Sequence, residues 1–242
     1  MKPFFSFVGL CSALLLSQPS TLTANTNSLV ATWETQLIGP GRDRTTCYLT
    51  FSNDLTWAGY GIALKSLGPV TITGTWDVDA HGLIIGSFTE HRNAGAIAGT
   101  LTRLVASRTR IRGGAIATQG RINLKGIALG TPPDLSGDWT GEVMTGGNTS
   151  FQSYTFSIST NGPGWFDITG TGVGEGGMYT ITGAVVVASD RSANGYLVSD
   201  FGTGNTTSTW SFAGKFLPSL ERATFRGHAD TGNDVLIHAT KQ

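Results

Sequence analysis

Val70-Thr-Ile-Thr-Gly74 decides the fold, because it alternates in character and because the chain repeats it as Tyr179-Thr-Ile-Thr-Gly183. Apolar or small residues occupy every second position, and threonines stand between them. Successive side chains of a β-strand point to opposite faces, so this period of two predicts a strand with one buried face. The repetition predicts that the chain contains two copies of one β-domain.

Other landmarks recur in the same order around these two stretches. The spacing between matched residues grows only slowly along the chain, which places the length differences in loops. This ordered series favours a duplication over a chance likeness of two Gly- and Thr-rich sequences. The matched pairs are Trp33 with Trp139, Trp57 with Trp165, Gly74 with Gly183, and Gly99 with Gly214.

The repeats have a natural boundary in a short proline-containing segment. Pro132 and Pro133 cannot donate a backbone hydrogen bond to a sheet, and each biases the residue before it towards extended geometry. We therefore predict a first repeat over 29–129, a linker over 130–134 and a second repeat over 135–242.

The N-terminus has the pattern of a secretory signal peptide. Lys2 precedes an apolar run of about 13 residues, and a region of polar and small residues follows as far as Ala24. The run is shorter than the roughly 20 residues that a membrane-spanning helix needs. We predict a signal peptide over 1–24 and a secreted or periplasmic protein that leaves the membrane after cleavage. An uncleaved anchor, or cleavage nearer Ser17 or Ala31, is the alternative.

The composition favours strands and turns. Only 13% of the residues are charged, whereas 34 are glycine, which disfavours exposed helices. Turn sequences recur at short intervals and divide each repeat into about eight strands. We predict an all-β protein of two tandem antiparallel up-and-down β-barrels, because closure leaves no unpaired edge. The alternatives are a sandwich in each repeat, one shared sheet, or an outer-membrane barrel, which the Thr- and Ser-rich outer face disfavours.

The charge pattern bears on partners. The chain has 16 basic and 16 acidic residues, a balance that argues against a nucleic acid partner. Arg108, Arg110 and Arg112 alternate along one predicted strand. Their spacing indicates an exposed basic stripe, and the sharper hypothesis is a recognition surface for an acidic protein partner.

The sequence does not indicate a metal site, a cofactor or catalysis. Asp77-Val-Asp79-Ala-His81-Gly82 resembles the start of a calcium loop, but Phe88 occupies the place of the required glutamate. The histidines lack the spacing of a shared metal site, and motifs of nucleophilic serines and phosphate loops are missing. Glu90 with His91, and His228 with Asp230, are the remaining candidate acid–base pairs. We predict no metal and no cofactor, and favour a binding protein over an enzyme.

Leu135-Ser-Gly-Asp-Trp139-Thr-Gly141, at the start of the second predicted meander, resembles the opening of calycin-like barrels of the avidin and lipocalin type. That group opens on Gly-x-Trp, with an indole that plugs one end of the barrel. Gly137 and Trp139 match this pattern, whereas Ala31 replaces the glycine before Trp33. The resemblance implies small barrels, and it does not extend to a biotin site.

Large aromatic residues on the inward faces are candidates for a ligand cup, because apolar side chains line the interiors of small barrels. Filling of the core is the alternative interpretation. We predict a binding protein that takes a small apolar ligand in a barrel. The alternative is a protein-interaction module, such as a protease inhibitor or an adhesion component, acting through loops or a basic face. The candidate ligand-binding residues are Trp33, Trp76, Trp139, Tyr179 and Trp210.

Overall fold

A computed structural model describes residues 29–40, 43–65, 68–145, 151–174, 177–202 and 207–242. The predicted signal peptide, 1–24, lies outside these residues. Within them the chain forms sixteen antiparallel strands arranged as two closed barrels in tandem. This part of the chain has no helix that is long and apolar enough to cross a membrane.

The first barrel consists of eight strands, each paired with the next along the chain, and β8 closes it by pairing with β1. This up-and-down order follows from short turns between alternating segments. The strands are β1 (Thr32–Ile38), β2 (Arg44–Phe51), β3 (Thr56–Ala63), β4 (Gly68–Val78), β5 (Ile84–Arg92), β6 (Gly95–Ala106), β7 (Arg110–Ala117) and β8 (Gly120–Ala128).

The second barrel repeats this order and closes by pairing of β16 with β9. The predicted fold of two tandem eight-stranded antiparallel barrels is therefore confirmed. The strands are β9 (Gly137–Thr145), β10 (Phe151–Gly162), β11 (Trp165–Gly174), β12 (Gly177–Val187), β13 (Ser192–Asp200), β14 (Ser208–Phe216), β15 (Arg222–Ala229) and β16 (Asp234–Lys241).

Equivalent tryptophans begin both barrels. Trp33 and Trp139 are fully buried, and each indole Nε1 donates to the carbonyl four residues earlier, that of Leu29 at 2.9 Å and that of Leu135 at 3.0 Å. A buried indole N–H needs such a partner. The shared geometry supports the tandem repeat inferred from the sequence.

One matched pair of the sequence alignment is wrong. Gly74 pairs with Trp57 across β3 and β4, whereas the equivalent Gly183 pairs with Ile168. Ile168 therefore takes the inward place of Trp57. Trp165 lies on the outer face of its barrel, where its ring packs edge-on against Tyr60 of the first barrel at 5.7 Å between centroids. Trp165 is therefore a residue of the interface between the barrels and not of a barrel core.

A buried ion network closes the end of the first barrel opposite Trp33. Glu90 lies on the inward face of β5 and is only 1% exposed. Arg92 Nε lies 2.7 Å from Glu90 Oε1, and Arg92 Nη1 lies 2.7 Å from Asp43 Oδ2. The network ties β5 to the segment that precedes β2. A buried carboxylate without a partner destabilises the fold, so Glu90 needs the guanidinium of Arg92 as its counter-charge.

The barrels pack side by side through the outer faces of β2 and β3 and of β12 and β13. Apolar side chains form the centre of this contact, including Tyr48 and Ile62 of the first barrel and Ala184 and Val186 of the second. The Tyr48 hydroxyl donates to the Val187 carbonyl at 2.5 Å. Where the barrels meet, both faces of these strands are therefore covered, one by the barrel's own core and the other by the neighbouring barrel.

Polar bonds border the apolar contact. The side-chain amide of Asn194 donates to Thr46 Oγ1 at 2.7 Å, and both residues are buried. The backbone N–H of Ser189 donates to Glu34 Oε2 at 2.8 Å. These bonds fix the turn between β12 and β13 against β1 and β2, and so position one wall of the groove described below.

Candidate functional site

The five candidate ligand-binding residues are all buried, but they do not converge on one site. Trp33 and Trp76 lie in the first barrel, and Trp139, Tyr179 and Trp210 lie in the second. Their positions on inward faces agree with the alternation read from the sequence. Only the three residues of the second barrel are therefore close enough in the fold to line a common cup.

The polar atoms of these aromatics are used within the protein. Trp76 Nε1 donates to the Thr56 carbonyl at 3.1 Å, and Trp210 Nε1 donates to Ser208 Oγ at 2.9 Å. The Tyr179 hydroxyl donates to Gln152 Oε1 at 2.9 Å. A ligand site needs a few polar groups free to orient its ligand, and these donors are already engaged. The arrangement fits core filling.

The interiors hold little free space. The cavity of the second barrel measures about 30 Å³ and that of the first about 10 Å³. Sites for small ligands usually occupy about 300 Å³ or more, whereas 30 Å³ corresponds to about one water molecule. A ligand cup would require side chains such as Phe212 and Phe225 to move, and it stays a prediction.

Tyr154 is a residue of this core that sequence reasoning left out of the aromatic set. Its ring centroid lies 5.7 Å from that of Tyr179 and 5.8 Å from that of Trp210, so it joins the two. Its hydroxyl donates to Gln152 Oε1 at 2.8 Å. Burial, with a smaller contribution from Tyr179, raises the pKa of Tyr154 far above its ordinary value. The phenol is therefore neutral and structural.

The outer surface of β6, β7 and β8 is different, because it is strongly basic. Arg110 and Arg112 lie on β7 and are exposed, as the sequence predicted. Arg108 is also exposed, but it precedes β7, in the turn that follows β6. The prediction that all three arginines alternate along one strand is wrong for Arg108, because the strand begins only at Arg110.

Three further cations share this surface, and sequence reasoning missed them. Residues 95–133 contain six Arg and Lys residues and no Asp or Glu, which is the signal that would have found them. All six side chains are exposed, and none forms an ion pair within the described part of the chain. We name this set the basic face: Arg103, Arg108, Arg110, Arg112, Arg121 and Lys125.

One edge of the basic face opens into a groove between the barrels. Its volume is about 410 Å³. The floor is formed by the outer faces of β7, β8 and β1, and the wall by the turn between β12 and β13. Backbone pairing sets two rows of side chains across this floor. One row runs Arg112, Lys125, Gln36, and the other runs Arg110, Ile127, Glu34.

The candidate acid–base pairs do not form a catalytic site. His228 pairs with Asp234, Nδ1 to Oδ1 at 2.7 Å, instead of with Asp230. The two side chains are 72% and 81% exposed, so the pair lies in solvent and not in a cleft. In the other candidate pair, the Glu90 carboxylate already forms an ion pair with Arg92. Such an exposed pair provides little of the desolvation that general acid–base catalysis uses.

The calcium-like segment forms a turn. Asp79 Oδ1 accepts hydrogen bonds from the backbone N–H groups of His81, at 2.9 Å, and Leu83, at 2.8 Å. This is the usual role of aspartate in a hairpin turn. Over the described ranges, no three His, Cys, Asp or Glu side chains are grouped so as to hold a metal ion.

Cys47 is a buried core residue. Its Sγ lies 3.0 Å from Thr35 Oγ1 on the inward face of the first barrel. Burial raises the pKa of the Cys47 thiol to about 12, so the nucleophilic thiolate is not populated near neutral pH.

Comparison with known proteins shows likeness in architecture at low identity. No protein-family model and no curated protein sequence matches the chain. A redesigned β-barrel, mFAP1, bound to DFHBI, is 16% identical with a TM-score of 0.39, over 45% of this chain and 94% of its own. A DUF3598-family protein of unknown function from Nostoc punctiforme is 11% identical with a TM-score of 0.30, over 89% and 97%.

A third solved structure is transferrin binding protein B from Neisseria meningitidis. It is 13% identical with a TM-score of 0.28, and the match covers 84% of this chain and 53% of that protein. These low identities and TM-scores give no ground for assigning the ligand or partner of any of these proteins to this chain. The likeness to the calycin-like group stays a resemblance.

Proposed function

We propose that the chain is an exported, non-catalytic binding protein that takes an acidic protein partner on its basic face. The observation that carries the proposal is the six exposed cations, without an intervening acid, on one surface. Clustered like charges repel one another, so an acidic partner relieves that repulsion and is steered towards the face. Five of the six are arginines, which bind carboxylates through two parallel hydrogen bonds.

The chemistry of the basic face favours a protein over a nucleic acid or a saccharide. Residues 95–134 contain no Phe, Tyr or Trp, so the face offers no ring on which a base could stack. It carries instead exposed aliphatic side chains between the cations, namely Val105, Ile116 and Ile127. A surface of arginines and aliphatic groups suits an acidic polypeptide that also has apolar residues.

Charge reversal on β7 tests the proposal. The probe is fluorescent poly-L-glutamate, with oligo-dT as a competitor of similar charge. The variant Arg110→Glu/Arg112→Glu should bind at least tenfold more weakly than the wild type, because two contacts are lost and two repulsions appear. The matched control is Arg222→Glu/Arg226→Glu on β15, the equivalent strand of the second barrel, which should change binding less than twofold.

The proposal fails if the two double variants weaken binding equally, because the attraction would then depend on net charge alone. It also fails if oligo-dT displaces poly-L-glutamate at a lower concentration than glutamate polymer of equal length. Affinity should fall as salt is raised, since exposed charges are screened.

A small apolar ligand in the second barrel is the second candidate function. Ser199 favours it, because its hydroxyl is fully buried on the inward face of β13 and has no hydrogen-bond partner within the described residues. The resemblance around Gly137 and Trp139 supports it as well. Native mass spectrometry of the purified protein should then show a retained mass, which Ile181→Trp would displace by filling the cavity. An unliganded mass would contradict it.

A further inference from the structure

The groove between the barrels is asymmetric in charge. Arg110 stands at one side of the row Arg110–Ile127–Glu34, and Glu34 stands at the other. Adjacent strands are separated by about 4.8 Å, so the Cα atoms of Arg110 and Glu34 are about 10 Å apart. Between them lies Ile127, which is 42% exposed. The floor therefore presents a cation, an aliphatic side chain and a carboxylate in order.

The carboxylate of Glu34 is held in place. It is only 9% exposed, yet it lines the groove, and its Oε2 accepts the backbone N–H of Ser189 at 2.8 Å. Asp190, on the same turn, adds a second acid to this wall, where it lies 3.4 Å from the exposed Lys215. No described ion pair joins Glu34 to the arginines or Lys125 across the groove.

A purely acidic segment does not suit this groove. Its carboxylates would be attracted over Arg110, Arg112 and Lys125 but repelled at Glu34, where partial burial weakens the screening of like charges. An ammonium group at that wall would meet a positioned acceptor instead.

We infer that the segment of the partner that enters the groove is bipolar, with acidic side chains over the basic face and one ammonium group at Glu34. The inference rests on the proposed function and specifies the partner's chemistry. An extended chain advances about 3.3 Å per residue, and every second side chain shares a face. An acid and an ammonium group four residues apart therefore face the same way with Cα atoms about 13 Å apart, within side-chain reach of the two groove groups. The residue between the charges that faces Ile127 is apolar.

Three blocked peptides test the inference. The first is acetyl-Glu-Glu-Val-Ser-Lys-amide, in which the first glutamate, the valine and the lysine share one face of the extended chain. The second replaces its lysine with glutamine, and the third moves the lysine next to the glutamates, which keeps the net charge. Binding to the full chain is measured at low salt by isothermal titration calorimetry. We expect the first peptide to bind about three- to tenfold more tightly than either of the others, although the second carries more negative charge.

Glu34→Gln is the decisive variant, because glutamine keeps an oxygen for the Ser189 N–H and removes only the charge. In this variant the preference for the first peptide should disappear. The inference is overturned if the wild type binds the first and third peptides equally, a result that needs no variant to fold. It is also overturned if Glu34→Gln folds and keeps the preference. If no peptide binds the wild type, the proposed function itself fails.

Discussion

Removal of the Arg92 side-chain charge should destabilise the first barrel severely. In Arg92→Met, Glu90 would be left 1% exposed without the guanidinium that lies 2.7 Å from its Oε1. Breaking a buried ion pair from one side costs about 3–5 kcal/mol, because the remaining charge is desolvated and uncompensated. We expect a loss in this range, even though methionine preserves most of the apolar stem.

The double variant Glu90→Leu/Arg92→Met separates desolvation from packing. Replacing a buried ion pair by apolar groups of similar volume is often neutral or stabilising. The double variant should therefore recover most of the stability that Arg92→Met loses. Lys215→Met is the matched control, because its ion pair with Asp190 is more than half exposed and longer, at 3.4 Å. It should cost less than about 1 kcal/mol.

Urea unfolding followed by tryptophan fluorescence measures these changes. With a slope of about 3 kcal/mol per molar urea, a loss of 3–5 kcal/mol lowers the midpoint by about 1–1.7 M. The reasoning would be refuted if Arg92→Met lowered the midpoint no more than Lys215→Met does. It would also be refuted if the double variant were as unstable as Arg92→Met, since packing would then account for the loss.

Two further perturbations test the core and the interface. In a Cys11→Ser background, Cys47 should resist a thiol reagent at pH 8 until urea unfolds the chain, because burial raises the pKa of its thiol to about 12. The free energy of unfolding should fall as the pH rises from about 8.5 towards 12, because only the unfolded chain then loses the thiol proton. Fast labelling of the native protein would contradict this. Gly164→Ala should lower the free energy of unfolding in urea by about 1–3 kcal/mol more than Gly232→Ala. Both glycines have positive φ, but only at Gly164 would the new Cβ overlap Tyr48 of the other barrel. Equal losses would show that the barrels separate freely.

The fold could be predicted from the sequence because its determinants are local and repeated. In β4, Val70, Ile72 and Trp76 are buried, and the threonines between them are exposed, as a period of two requires. Turns at short spacing and a second copy of the pattern then leave few arrangements other than two closed meanders. Length differences between the copies lie partly in the strands, since β10 is four residues longer than its equivalent β2.

The interface between the barrels was missed, although the sequence contains a signal for it. The alternation breaks over Ala184-Val-Val-Val-Ala188, where successive residues are all apolar and all buried. A strand with one solvated face alternates, whereas a strand covered on both faces does not. Cys47-Tyr-Leu49 shows the same break in β2. What the sequence alone does not contain is which of these covered faces meets which, and therefore where the groove lies.

The duplication gives a physical origin for the groove in which the proposed partner would bind. The equivalent inward positions Trp76 and Val185 are both buried, whereas the equivalent outward positions Asp77 and Val186 differ, because only Val186 is covered by the other barrel. The contact joins β2 and β3 mainly to β12 and β13, which are not their equivalent strands, and Trp165 of β11 adds a smaller contact with Tyr60 of β3. The main contact therefore lacks the two-fold symmetry that equal copies could form. Each copy therefore keeps a different exposed face, and the acid-free face of the first barrel comes to lie beside the turn of the second that carries Asp190. A charged groove of this kind requires both copies, which gives a physical reason for a tandem arrangement of barrels whose interiors are already filled.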